Sequence, residues 1–218
     1  MLCLVGLDDV IQSSIVKVNN LVAPTDIDYQ PIINGNAAAA NIEGFVYTAM
    51  NAVSHGVITL TSQNMGAKKP ERVKPIMYDG FFLAMLIGVI MSGIVLLLKM
   101  PLLSLYGIVE GVEGSLEALA MDAATTRILI IVVPYFLCGL MEVTTGVLRG
   151  LGKSIVATVI SLLGVCLLRI VWLWTVFPRF LNLQSIFLCY PITWGLTTVA
   201  GFIIIGVLMK REMRNMEI

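Results

Sequence analysis

Gly80-Phe-Phe-Leu-Ala-Met-Leu-Ile-Gly-Val-Ile-Met-Ser-Gly-Ile-Val-Leu-Leu-Leu98 holds no charged side chain over 19 residues. As a helix at about 1.5 Å per residue it is about 28 Å long. That matches the hydrocarbon thickness of a bilayer, about 30 Å. A soluble helix of this length shows a polar face, and this stretch has none. It reads as a transmembrane span.

Further apolar runs have the same character. Phe180 to Met209 is uncharged, and Ser154 to Pro178 carries only Arg169. Ile128 to Met141 is uncharged, and Glu142 then interrupts a run that ends at Leu148. Gly44 to Ala67 has no Asp, Glu, Lys or Arg but is rich in Thr, Ser, Asn and Gln. With a weaker first segment, about 2–23, these make six candidate helices. The expected fold is all-α, a polytopic membrane bundle of about six transmembrane helices. Residues 1–35 form a weak or partial first helix and an external acidic loop; residues 36–218 form the remaining five helices.

Composition agrees. Of 218 residues, 58% are hydrophobic and only 13% charged, about half the charged share of a soluble domain. Basic and acidic residues balance at 14 each, so no basic surplus points to nucleic acid. Cys3, Cys138, Cys166 and Cys189 form no CxxC pair and read as apolar thiols, not a metal or disulfide framework. The N-terminus lacks a basic region and a small-residue cleavage site, so it does not read as a signal peptide.

The connections set the orientation. Lys68, Lys69, Arg72 and Lys74 place the second-to-third loop in the cytoplasm. Alternation then puts the loop with Glu110, Glu113, Glu117 and Asp122 outside. Arg149 and Lys153 fall inside, as do Lys210, Arg211 and Arg214, while Lys99 and Arg179 fall outside. The expected location is the plasma membrane, with the C-terminus cytoplasmic.

Ionisable groups inside spans are costly and mark cavities or pairs. Lys17, Glu43, Glu142 and Arg169 are the four expected here. Counting from an entry near Ala37, Glu43 lies about 9 Å from the outer surface. Arg169, 14 residues above Ile155, comes out level with it, about 21 Å from the inner surface. The expectation is a polar cluster of Glu43 with Arg169, joined by Lys17, in which Glu43 serves either as a structural ion-pair partner or as a substrate- or ion-binding group. Glu142 has no basic partner at its depth and is a candidate for binding a proton, a sodium ion or a cationic compound. Asn41, Asn51 and their polar neighbours on the second helix make sense lining water or substrate. His55, the single histidine, reads as a packed polar residue and not as a proton carrier. Gly146-x-x-x-Gly150 and Gly88-x-x-x-Ser92 suit close helix packing. There is no HExxH, GxSxG, P-loop or Cys/His cluster, so an enzyme is not expected.

Four strings then carry a resemblance: Asn36-Ala-Ala-Ala-Ala-Asn-Ile-Glu-Gly-Phe-Val-Tyr-Thr-Ala-Met-Asn51, Ser62-Gln-Asn-Met-Gly-Ala-Lys68, Gly146-Val-Leu-Arg-Gly-Leu-Gly152 and Tyr190-Pro-Ile-Thr-Trp194. In order and spacing they resemble the second six-helix lobe of the multidrug and toxic compound extrusion (MATE) family. The resemblance implies half of a secondary active exporter of cationic or amphipathic compounds, driven by Na+ or H+ entry. It implies no cofactor beyond that coupling ion. The implied partners are the lipid bilayer, the cargo, and a second six-helix lobe or a second copy. It also implies a cavity carboxylate near Cys138, one turn before Glu142, and cavity groups at Gln12 and Ser13. Two rival readings are a lipid or polysaccharide flippase lobe and a truncated fragment that does not transport.

Overall fold

The computed structural model describes residues 30–112, 115–180 and 182–216. The described residues form helices and turns, with no strand among them. Helix α1 runs Gln30–Gly66, 37 residues, or about 56 Å. Pro31 sits in its first turn, where a missing N–H is no loss. Lys68, at φ 56°, turns the chain after α1. A 3-10 turn, Pro70–Arg72, leads into α2, Val73–Leu97. A short helix α3, Lys99–Leu105, follows and ends at Gly107, which takes a positive φ of 76°.

Helix α4 spans Leu116–Val132 and is capped by Ser115, whose Oγ accepts from the Ala118 N–H at 3.2 Å. Helix α5, Tyr135–Gly150, continues from α4 after a bend of 46°. Pro134 lies at the bend; it has no N–H to donate and its ring crowds the carbonyl of Ile130. Ser92 on α2 donates to the Val132 carbonyl at 2.6 Å, meeting the need created at the break. The expected turn at Arg149 to Lys153 is present, with Gly152 at φ 75°. Next come α6, Ser154–Ser161, a π-helical turn Leu162–Leu167, and α7, Leu168–Thr175. Helix α8, Leu183–Met216, contains Pro191.

Three helical stretches among the described residues, 70–97, 154–179 and 184–210, are long and apolar enough to cross a bilayer. The bent α4–α5 pair passes the same test of length and composition when its two helices are taken together. Helix α1 has the length but is too polar to pass the same test. The first of the six expected helices lies outside the described residues.

Helix α1 packs on α2, α4 and α5, and α5 also packs on α2 and α8. Close approach depends on glycine. A Cβ at Gly150 would meet Thr61 Cβ at 2.5 Å and the Ile58 carbonyl at 3.0 Å; one at Gly146 would meet Ser54 Oγ at 2.9 Å. On the other side of α5, Gly88 of α2 rests against the Phe136 backbone, with 3.0 Å from its would-be Cβ to Phe136 Cα. Both small-residue pairs singled out in the sequence are thus used for packing.

Val73 and Met209 share one apolar core with Val143, Val147 and Leu148. The turns near residues 68, 152 and 210 therefore lie at the same end of the bundle. That end collects Lys68, Lys69, Arg72, Lys74, Arg149, Lys153 and Lys210. At the other end lie Glu110, Glu117 and Asp122, with Lys99 and Arg179 as the basic residues. The outward sides of α2, α7 and α8 expose Phe82, Leu97, Trp174 and Ile203, as expected of surfaces that lipid solvates.

Candidate functional site

Helix α1 differs from the other long helices in what it leaves uncovered. Its buried stripe is apolar: Ile42, Val46, Met50, Val53 and Val57. Its open side carries Asn41, Thr48, His55, Thr59, Ser62 and Gln63, with Gly44 and Gly56 between them and Phe45, Ala52 and Leu60 alongside. Asn51 lies at the edge, half-buried. A Cβ added at Gly44 or Gly56 would meet nothing within 4 Å. A polar, uncovered stripe is unstable against hydrocarbon and stable against water or another polar surface.

Glu142 sits where α5 borders this stripe. Tyr47 Oη donates to Glu142 Oε1 over a long 3.4 Å. Ser54 Oγ donates to the Glu142 backbone carbonyl at 2.8 Å, and Thr145 Oγ1 to the same carbonyl at 3.0 Å. Two hydroxyls therefore hold the backbone of Glu142, while its carboxylate has one weak partner. No Lys or Arg among the described residues lies within 4 Å of it. Tyr47, Asn51 and His55 follow one another at steps of four, so they ascend one side of α1 beside Glu142. His55 is exposed on the open stripe, which corrects the expectation of a packed residue.

The expected pairing of Glu43 with Arg169 is replaced by a different one. Arg127 Nε donates to Glu43 Oε1 at 2.8 Å and Arg127 Nη2 to Glu43 Oε2 at 3.0 Å, a two-pronged bond. Arg127 Nη1 also donates to Asn36 Oδ1 at 3.2 Å, and the guanidinium carbon lies 5.7 Å from the Phe187 ring centre. The reason is where the helices begin. Helix α1 is already helical at Gln30, ahead of Ala37, and α4 begins at Leu116, not Ile128. Glu43 is then 13 residues, about 20 Å, into α1, and Arg127 11 residues, about 17 Å, into α4. The Ser115 cap with Glu117 in the first turn is the sequence signal for that earlier start.

Arg169 is 1% exposed and finds an aromatic partner instead. Its guanidinium carbon lies 4.0 Å from the Tyr190 ring centre, and Nε reaches Thr193 Oγ1 at 3.5 Å. This is cation–π stabilisation in a desolvated place. Asn51 falls on the α1 stripe one turn from Tyr47, whereas Asn41 is exposed two residues before Glu43, which is taken up by Arg127 of α4 and lies away from Glu142. Gln12, Ser13 and Lys17 lie outside the described residues.

Comparison with known proteins gives the geometry its context. The MatE family model matches residues 33–175. No curated protein matches the chain. Among solved structures, the chain superposes on one titled "Crystal structure of MATE in complex with MaL6", with a TM-score of 0.74 and 12% identity. The superposition covers 94% of this chain and 44% of that one. At that identity the likeness speaks for the fold alone.

Proposed function

Since the chain belongs to the MATE family of transporters, we propose that it is the C-terminal-type lobe of a secondary active exporter of cationic or amphipathic compounds. Cargo leaves in exchange for Na+ or H+ entering. The lobe works against a second six-helix lobe or a second copy, and the matched crystal structure is consistent in being more than twice as long. The chain lies in the plasma membrane, with its basic end and C-terminus in the cytoplasm.

One observation carries this reading: the uncovered polar stripe of α1 with the Glu142 carboxylate at its edge. A carboxylate held between two helices, short of hydrogen-bond partners, has capacity left for a cation. Na+, H+ and a cationic cargo compete for it, and that competition is the coupling an exchanger needs. The hydroxyls and amides of α1 supply neutral acceptors around the charge, and Phe45, exposed on the same helix, supplies apolar surface for an amphipathic molecule.

The test is accumulation of ethidium in cells producing the chain together with a MATE N-terminal lobe. Wild-type protein lowers the dye content, and Glu142→Gln restores it to the level of cells without the protein. Full efflux by Glu142→Gln contradicts the assignment.

A further inference from the structure

His55 is not used by the reading above, although it lies on the same stripe. It is the only histidine in the chain. Its neighbour Ser54 is hydrogen-bonded to the Glu142 carbonyl at 2.8 Å, which fixes this turn of α1 against that turn of α5. Asn51 lies one turn away on α1, and Tyr47, two turns away, touches the carboxylate. Gly56, next in sequence, has open space at its Cβ position, so the imidazole stands at an unobstructed part of the stripe.

We infer that His55 is the pH-responsive partner of Glu142: protonation of the imidazole opposes a cationic cargo at the shared site, and its neutral form admits one. This rests on the exporter reading and gives it a switch. An imidazole changes charge between about pH 5 and 8, a window that no other ordinary side chain covers. A cation one or two turns from a carboxylate competes electrostatically with a second cation there, strongly where water is partly excluded. The neutral imidazole reverses this, because it offers a lone pair and an aromatic face to the incoming cation.

The surroundings leave few other groups to account for a pH response. From α5, Glu142 and Arg149 act on this region, with Arg149 exposed two turns beyond Glu142. The same electrostatic neighbourhood of Glu142 includes His55. On α1 itself, Tyr47 is the nearby ionisable group. Cys138, a turn from Glu142 on α5, is buried. Helix α2 turns Met77, Gly80, Phe81 and Ala84 inward, while its Tyr78 and Asp79 are exposed on the outside. Arg127 of α4 is engaged with Glu43.

Two readouts on the purified full chain in detergent test the inference. The first follows the imidazole carbon and nitrogen resonances of histidine-labelled protein through pH 5 to 8; with one histidine, no assignment is needed. Coupling of the two groups predicts different curves for wild type and Glu142→Gln. Superimposable curves overturn the coupling whatever the cargo does. The second is binding of tetraphenylphosphonium at pH 5.5 and 8. Wild type binds at least threefold more tightly at pH 8, and His55→Gln binds equally at both pH values. An unchanged pH ratio in His55→Gln overturns the inference and leaves the exporter reading standing. Unchanged binding in Glu142→Gln overturns the exporter reading of the carboxylate itself.

Discussion

Glu43 and Arg127 show how much one pair of side chains contributes at this depth. Both are nearly inaccessible, and the bond is two-pronged, the geometry in which a guanidinium and a carboxylate interact best. Removing one partner leaves the other charge stranded, a loss of about 3–5 kcal/mol for buried pairs. Glu43→Gln or Arg127→Met alone should therefore lower the melting temperature in detergent steeply. The double variant Glu43→Gln/Arg127→Met should recover most of the loss, since two neutral groups strand no charge. Additive losses in the double variant would show that the two residues act separately. That Glu43 needs a cation was legible from its place in an otherwise apolar register. Which cation it takes depends on helix starts, and Ile128 looked like the start of a span because the apolar run begins there. Arg127 is instead the eleventh residue after Leu116, inside a helix whose first turns are mild in hydropathy.

At the scale of elements, the contact of α5 with α1 is set by glycines. Gly150 faces Thr61 Cβ and the Ile58 carbonyl, so an added methyl meets atoms that cannot move aside. Gly139 faces the Cε methyl at the end of the flexible Met50 side chain, which can adopt another rotamer. Gly150→Ala should thus cost about 1–3 kcal/mol, in the range of overpacking, and Gly139→Ala distinctly less, read by thermal unfolding of the two variants side by side. A larger loss at Gly139 would contradict the packing described. The Gly146-x-x-x-Gly150 spacing was readable in advance, as were the apolar runs that become α2, α6–α7 and α8. Two irregularities were not. The 46° bend falls at Pro134 within a run that hydropathy treats as continuous. The π-helical turn at Leu162–Leu167 has no proline and no polar residue to announce it; it comes from packing, with Gly164 pressed against Thr197 of α8.

For the molecule as a whole, the fold separates charge by end. Seven basic side chains, Lys68, Lys69, Arg72, Lys74, Arg149, Lys153 and Lys210, gather where the α1–α2 and α5–α6 turns meet the end of α8. The loop between α3 and α4, with Glu110, lies at the opposite end. In intact cells, a membrane-impermeant maleimide should label Val112→Cys and leave Lys69→Cys unlabelled until the membrane is opened. The reverse pattern would invert the orientation. This separation was visible in the sequence because loop charge needs no side-chain geometry to be counted. The functional face was half visible: the polar content of Gly44 to Ala67 could be seen, but not which side of α1 the neighbouring helices would cover.

That open side is the claim on which the transporter account depends, and water access along α1 measures it. Single cysteines placed at positions 46 to 63 in a background with Cys3, Cys138, Cys166 and Cys189 replaced are tested with a small, water-soluble thiol reagent in reconstituted membranes. Reaction is expected at 48, 51, 55, 59 and 62 and silence at 46, 50, 53, 57 and 61. Uniform silence along the helix, or reaction only with a lipid-partitioning reagent, would contradict the open side.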